Sequence, residues 1–139
     1  MKALKYNPEE IEVVITDISL LTVEEAQALP EDIGRYGQRW WLRSHGREHY
    51  DAAFVFKSGA IYKIGDYIGY PNYAVRPAVT ISDAMFAVGD TVIIQNKKYV
   101  AIAPDRLLYN DKFVYHRFDE LTNDYEKSEI KKMVDEWLD

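Results

Sequence analysis

Residues 39–64, RWWLRSHGREHYDAAFVFKSGAIYKI, hold three strand-like runs in close succession and set the fold prediction for the whole chain. The first run, RWWLR, and the second, AAFVFK, are rich in aromatic and aliphatic side chains, which favour extended backbone. Ser58 and Gly59 give a tight-turn signal before the third run, AIYKI, so residues 52–64 form a predicted hairpin. The stretch therefore predicts strands that are joined by short polar connections.

The connection between the first two runs contains His45, Glu48 and His49, which spell the inverted zinc-protease motif H-x-x-E-H. Two histidines at this spacing share a metal only on a helix, where both lie on one face. The gap of about eight residues is too short for a helix with its connections, and Gly46 disfavours a helix by about 1 kcal/mol. The remaining histidine, His116, lies in a distant predicted strand, so the sequence predicts a polar loop and no metal site.

Outward from this stretch, the sequence alternates between further strand patterns and two helix patterns. Thr22 and Glu25 have the spacing of a capping box, which predicts a short helix that ends near Leu29. The other predicted strands are residues 11–16, 73–81, 91–95, 98–103, 106–109 and 112–118, and the second predicted helix is residues 124–138. These elements predict a single α+β domain over residues 1–139, with short antiparallel strands, hairpins and two helices.

The composition excludes several classes of function. The chain has no cysteine, which removes thiol chemistry and Cys-ligated zinc. Its formal net charge is -6, which argues against direct binding to nucleic acid, because phosphates need clustered Lys and Arg. No apolar run approaches the roughly 18 residues of a membrane span. Asp66 stands alone among aromatic residues, so a lectin-type calcium site is not expected, and no other cofactor is predicted.

Three segments, RWWLRSHG, YDAAFVFKSGAIY and YAVRPAVTI, resemble a family of uncharacterised domains that is common in bacteria and their phages. The resemblance implies the C-type-lectin-like fold, in the branch that contains the formylglycine-generating enzymes. Those enzymes depend on cysteines, so their activity is not expected here. The signature residues are Trp40, Trp41, Leu42, Arg43, Ser44, Arg76 and Pro77. Arg43 and Arg76 are expected to be structural, fixed by backbone carbonyls or by a carboxylate such as Glu24 or Glu25.

The two halves of the chain resemble the two halves of that family in swapped order. Residues 1–82 resemble the family's C-terminal half, and residues 83–139, with VGDTVIIQNKKYVAIAPDRLLY and DYEKSEIKKMVDEWLD, resemble its N-terminal half. A circular permutation within a monomer explains this order, since chain termini often lie close together. An interlocked homodimer, in which each chain completes the other, is the alternative.

The loops that connect the predicted strands carry the residues that binding loops favour. Tyrosine offers a large amphipathic contact area, and glycine and asparagine let a loop adapt. The candidates are Arg35, Tyr36, His45, Arg47, Glu48, His49, Tyr50, Tyr62, Asp66, Tyr67, Tyr70, Asn72 and Tyr73. We expect a non-enzymatic recognition module, encoded by a phage or mobile element, that binds a protein or a glycan. Its expected location is the cytoplasm of a bacterial host or a phage particle.

Two other functions remain open at this stage. The first is a small acidic inhibitor of a host defence protein that handles nucleic acid, supported by the acidic run Asp119, Glu120, Asp124, Glu126, Glu129, Asp135, Glu136 and Asp139. The second is a hydrolase that uses His49, Glu48 and His116, which requires these side chains to lie within hydrogen-bond reach of one another.

Overall fold

Strands dominate the part of the chain that the computed structural model describes, which is residues 2–7 and 11–139, with side chains from residue 13 onward. The strands are β1 (Lys2–Asn7), β2 (Ile11–Ser19), β3 (Trp40–His45), β4 (Asp51–Val55), β5 (Ile61–Tyr67), β6 (Ala78–Ile81), β7 (Thr91–Ile94), β8 (Lys97–Ala103) and β9 (Arg106–Tyr109). The helices are α1 (Val23–Gln27), α2 (Glu31–Gly34) and α3 (Glu129–Asp135), and a 3-10 turn, Tyr125–Lys127, precedes α3. The α+β class is confirmed, although three α-helices stand where the sequence predicted two.

Six of the strands close into an antiparallel barrel in the order β1-β2-β6-β9-β8-β7. Alternate residues of these strands fill the barrel, as the two-residue period of a strand requires. Its core holds Val13, Ile15, Val79, Ile81, Val92, Ile94, Tyr99, Ala101, Leu107 and Tyr109. The sequence did not predict this closure, because the pairing of β1 with β7 joins segments that lie far apart in the chain.

The strands β3, β4 and β5 form a second antiparallel sheet. Successive side chains of a strand point to opposite faces, so Trp40 and Trp41 lie on opposite sides of this sheet. Trp40 packs in one cluster with the barrel residues Ala78 and Leu108. Trp41 packs in another cluster with residues of the C-terminal segment: Phe118, Tyr125, Ile130 and Val134. The small sheet therefore packs on the barrel with one face and on the C-terminal segment with the other.

Short-range sequence patterns predicted one helix start and one hairpin correctly. Thr22 Oγ1 accepts from the Glu25 N–H at 3.1 Å, and Glu25 Oε1 accepts from the Thr22 N–H at 2.9 Å, which confirms the capping box. The predicted hairpin is also confirmed, since β4 pairs with β5 across a turn in which Gly59 has a φ of 92°. That left-handed conformation favours glycine.

The predicted strands over residues 73–81 and 112–118 are wrong for most of their length. Only Ala78–Ile81 is a strand in the first, because Pro77 has no N–H to donate and Arg76 turns its side chain into the core. In the second, Tyr115 makes a single bridge to Ala74. These segments instead serve as covering loops for the small sheet.

The predicted helix over residues 124–138 is divided at Ser128. The Ser128 hydroxyl donates to the Tyr125 carbonyl at 2.7 Å and accepts from the Lys131 N–H at 3.1 Å. Serine competes for backbone groups in this way at helix starts, so the residue ends the 3-10 turn and caps α3. The helical spacing of the apolar residues did not reveal the break.

Arg76 is fully buried and links the barrel to the elements around the small sheet. Its guanidinium donates to the carbonyls of Tyr109 and Ile33, each at 2.8 Å, and to Asn110 Oδ1 at 3.0 Å. The same group stacks over the rings of Tyr36, at 4.3 Å, and Trp40, at 4.9 Å. Burial lowers the pKa of Arg76 to about 10, so the side chain is still charged at neutral pH.

We expect the substitution Arg76→Met to lower the free energy of unfolding by about 3–5 kcal/mol, because it leaves buried carbonyls without donors. Urea unfolding followed by circular dichroism measures the loss. The control Arg35→Met removes an exposed arginine that pairs with Glu31 on the surface, and its effect should stay within about 0.5 kcal/mol. A loss below about 1 kcal/mol for Arg76→Met would show that the packing alone holds these elements together.

Asp119 is the second buried charged group that organises the C-terminal segment. Its Oδ2 accepts from the N–H groups of Leu121 (2.7 Å) and Thr122 (2.8 Å), and its Oδ1 accepts from the N–H of Glu129 (2.9 Å) at the start of α3. Burial acts to raise the pKa of Asp119, but these hydrogen bonds outweigh it and hold the pKa below its ordinary value. The ionised carboxylate therefore stabilises the folded state.

The substitution Asp119→Asn should lower the free energy of unfolding at pH 7 by about 1–2 kcal/mol, because an amide N–H replaces one of the two acceptors. A lowered pKa means that the stabilisation is complete above the ordinary value of 3.8 and disappears as the pH falls below it. The difference between the two proteins should thus shrink between pH 5 and pH 3 in urea unfolding. The exposed Asp32 provides the control, and Asp32→Asn should show no difference at any pH.

Candidate functional site

A cleft of about 440 Å³ opens beside the start of β3. Two of the residues that line it precede β3, one follows β4, two lie in the loop after β5, and one lies in the segment after β9. They are Gln38, Arg39, Lys57, Pro71, Asn72 and Tyr115. The volume falls within the range of small-ligand sites, roughly 300–1,000 Å³, and the lining combines charged, amide and aromatic side chains.

Arg39 and Lys57 bring positive charge to the cleft. The Arg39 guanidinium lies 4.7 Å from the centre of the Tyr73 ring, and its Nη1 is 3.5 Å from the Tyr73 hydroxyl. Neither Arg39 nor Lys57 forms an ion pair with a carboxylate among residues 13–139, whereas Arg43 and Arg117 do. Although the chain carries a net charge of -6, the cleft thus presents two cations that have no carboxylate partner among residues 13–139.

Tyr73 forms the floor beneath Arg39. The sequence placed it among the binding-loop candidates, but its side chain is fully buried and stacks on Trp41 with a centroid separation of 4.2 Å. Its hydroxyl donates to Asp66 Oδ2, while Asp66 Oδ1 accepts from the Tyr67 N–H at 2.8 Å. Burial and the bond to Asp66 both raise the pKa of Tyr73, so it stays protonated. Tyr73 thereby holds Asp66 and the Arg39 guanidinium in place.

Exposed aromatic side chains on the small sheet of β3, β4 and β5 and on its covering loops form what we call the aromatic surface. Its members are 37–47% exposed: Phe56, Tyr62, Tyr67, Tyr70, Phe113 and Tyr115. The rings contact one another in pairs, Phe56 with Tyr62 at 5.5 Å, Tyr67 with Tyr70 at 5.3 Å and Phe113 with Tyr115 at 6.2 Å. Large exposed apolar groups that support one another in this way are typical of binding surfaces.

A β-bulge in β5 positions Asp66 and Tyr67. Ala52 pairs with Asp66 and Phe54 pairs with Tyr62, so residues 63–65 lie opposite Ala53 alone. Gly65 has a φ of 86°, and a Cβ there would lie 2.5 Å from the Ala52 carbonyl oxygen. Only glycine fits this close approach, which directs the loop after β5 toward the cleft.

The other loop candidates do not line the cleft. Arg35 pairs with Glu31 at 2.6 Å, and Tyr36 donates its hydroxyl to the Asp111 carbonyl at 2.5 Å and packs edge-on against Phe113. Arg47 lies 3.9 Å from Glu48, and the rings of His49 and Tyr50 contact each other at 4.9 Å. His45 lines a separate depression with Arg43 and Asn123. These residues divide into structural contacts and a second exposed loop.

The H-x-x-E-H string begins at His45, the last residue of β3, continues into the connection to β4 and is not helical. His116, the third histidine, has its Nδ1 2.6 Å from the Arg117 carbonyl oxygen, and its own carbonyl accepts from the Trp41 indole at 2.9 Å. Within the described residues, no three His, Cys, Asp or Glu side chains are grouped for a metal ion.

Several members of the acidic run stabilise the fold itself. Glu129 makes two 2.7 Å bonds to Arg117, Glu126 pairs with Arg43 at 2.9 Å, and Asp135 pairs with Lys131 at 2.6 Å. Together with Asp119, these carboxylates have partners within the chain. The acidic run therefore offers a partner less free charge than the sequence indicated.

The signature residues make structural contacts. Arg43 donates to Ser19 Oγ at 3.0 Å and to Glu126, and it lies over the Tyr125 ring at 4.9 Å. Glu24 and Glu25 were suggested as carboxylate partners for Arg43 and Arg76. Glu25 instead pairs with Arg106 and caps α1. The carbonyl of Pro77 accepts from the Tyr109 N–H at 2.9 Å.

Sequence reasoning found Asn72 but missed the residues that give the cleft its charge and its wall. Arg39 could have been found, since strand alternation places it on the same face as Trp41. Lys57 and Tyr115 carry no such signal, because loop packing brings them to the cleft from positions far apart in the chain.

Comparison with known proteins gives no matching family model, curated protein or solved structure. The resemblance to the lectin-like family, the permuted order and the choice between monomer and interlocked homodimer thus stay predictions. No helix in the described part of the chain has both the length and the apolar character needed to cross a bilayer.

The substitution Gly65→Ala tests the bulge that positions the loop. We expect it to lower the free energy of unfolding by about 1–2 kcal/mol for the positive φ and by about 2 kcal/mol more for the clash with Ala52. Gly89 is a matched control, because its φ is 97° and a Cβ there meets nothing within 4 Å. In urea unfolding, Gly89→Ala should therefore lose only the about 1–2 kcal/mol that results from the positive φ. Equal losses for the two variants would contradict the close approach at Ala52.

Proposed function

We propose that this protein is a non-enzymatic recognition module that binds a protein or glycan ligand through the aromatic surface and the adjoining cleft. The observation that carries the proposal is the set of six exposed aromatic rings beside a cleft that contains Arg39 and Lys57. Neither of these two cations has a carboxylate partner among residues 13–139. Exposed tyrosines combine apolar area with a hydroxyl at small entropic cost, and they are enriched where proteins bind ligands.

The packing beneath the aromatic surface supports this proposal. Phe54 is 3% exposed and contacts Phe56 at 4.8 Å, Tyr62 at 5.5 Å and Tyr73 at 5.0 Å. The buried Phe54 ring therefore restrains the exposed rings of Phe56 and Tyr62, which lowers the entropy that they lose on binding.

We propose further that the domain is a C-type-lectin-like module of phage or mobile-element origin whose halves are circularly permuted. The support is the WWLRS and VRPA signature in the sequence, together with the position of its residues in the structure. Trp40, Trp41 and Arg76 are all fully buried. Trp40 packs between the small sheet and the barrel, and Trp41 packs on the other face of the sheet. That placement suits a signature that maintains a fold.

Truncation of three exposed rings tests the recognition proposal. The variant Tyr62→Ala, Tyr67→Ala, Tyr70→Ala should bind at least about 100-fold more weakly, because each contact ring contributes roughly 1–2 kcal/mol. Tyr73 is left intact because it is buried, so its truncation would lower stability as well as binding. Tagged protein is used to capture ligands from a bacterial lysate and on a glycan array, and the identified ligand is then titrated by calorimetry.

Tyr50→Ala is the matched control, because Tyr50 is 46% exposed but lies outside the aromatic surface. It should bind with the affinity of the wild type, and both variants should retain the wild-type circular dichroism. A triple variant that binds normally to a basic partner, with binding abolished by salt, would contradict the proposal and favour the acidic inhibitor.

A further inference from the structure

We infer that the cleft is a binding site for an acidic saccharide, whose carboxylate lies between Arg39 and Lys57. The inference rests on the proposed recognition function and names the ligand class of the same site. The chemistry that recognises this ligand consists of two cations, an exposed amide, a tyrosine hydroxyl and apolar surface within one cleft.

The charge of the cleft selects an anion. Arg39 is oriented by the Tyr73 ring, and its contact with the Tyr73 hydroxyl, at 3.5 Å, leaves most of its donors unused. Asp66 forms no ion pair with Arg39 and contacts it only through the Tyr73 hydroxyl, which lies between them. A planar guanidinium binds a carboxylate through two parallel hydrogen bonds, and Lys57 adds a second positive charge.

The neutral groups of the cleft match a polyhydroxylated ring. Tyr115 accepts from Gln38 Nε2 at 3.2 Å, which leaves its own hydroxyl proton to donate. The Asn72 side chain is exposed and makes no hydrogen bond with the described residues, so its amide offers both a donor and an acceptor. Pro71 and the Tyr115 ring, which is 47% exposed, supply apolar area for the C–H face of a sugar.

An acidic peptide fits the cleft less well. One common way for an extended peptide to bind is to add a strand to a free sheet edge. At this edge the Trp41 N–H already donates to the Ala74 carbonyl at 3.2 Å, and the Arg39 carbonyl accepts from the Ala74 N–H at 2.8 Å. The groups left for a ligand are therefore on side chains, which suits a saccharide.

Calorimetric titration of the full chain with three probes tests the inference: tetragalacturonate, its neutral counterpart tetragalactose, and hexaglutamate. We expect tetragalacturonate to bind at least tenfold more tightly than either of the others. Arg39→Gln and Lys57→Gln should each weaken its binding about tenfold or more. Lys127→Gln removes an exposed lysine outside the cleft and should leave the affinity unchanged.

Equal binding of the neutral oligomer, tighter binding of the peptide, or insensitivity to Arg39→Gln would each overturn the inference. The triple tyrosine variant separates this result from the recognition proposal. If tetragalacturonate does not bind and the triple variant still loses its captured ligand, the cleft inference fails and the recognition function stands. If tetragalacturonate binds the wild type and the triple variant alike, but the triple variant also keeps its captured ligand, the cleft inference stands and the recognition role of the aromatic surface is wrong.

Discussion

The guanidinium of Arg76 is the interaction on which the arrangement of the other elements depends. It is buried without a carboxylate, and backbone carbonyls from α2 and from the end of β9 satisfy it instead. Those carbonyls, of Ile33 and Tyr109, belong to segments that lie far apart in the chain. Since Tyr36 stacks on Arg76 and contacts Phe113, the same group also fixes the wall that Phe113 and Tyr115 form beside the cleft. The buried Arg76 guanidinium thus contributes both to the fold and to the shape of the candidate cleft.

Trp40 and Trp41 lie on opposite faces of the small sheet, and the two faces make different contacts. Trp40 joins the sheet to the barrel, while Trp41 supports Tyr73, which in turn positions Arg39 and Asp66. The residues that are available to a ligand therefore lie one layer above a packed core. Such support limits the movement of exposed side chains and preorganises a site for its ligand.

Short-range signals accounted for the elements that the sequence predicted well. The Thr22 capping box and the Gly59 turn depend on neighbours within four residues, and both were confirmed. Barrel closure depends on pairing between distant segments, which no local pattern encodes. The break at Ser128 arises instead from local bonds to Tyr125 and Lys131, which the spacing of the apolar residues did not reveal. The site divides in the same way: Asn72 belongs to a recognisable Tyr- and Gly-rich loop, whereas Lys57 and Tyr115 reach the cleft only through the tertiary fold.

The stacking of Trp41 on Tyr73 has an optical consequence. The indole is fully buried, donates its N–H to the His116 carbonyl, and lies one ring away from the Arg39 guanidinium. A ligand that draws Arg39 away from Tyr73 changes the electric field at this indole, while Trp40 is shielded on the far face of the sheet. Trp41 fluorescence would therefore report a ligand that binds in the proposed site without any attached dye.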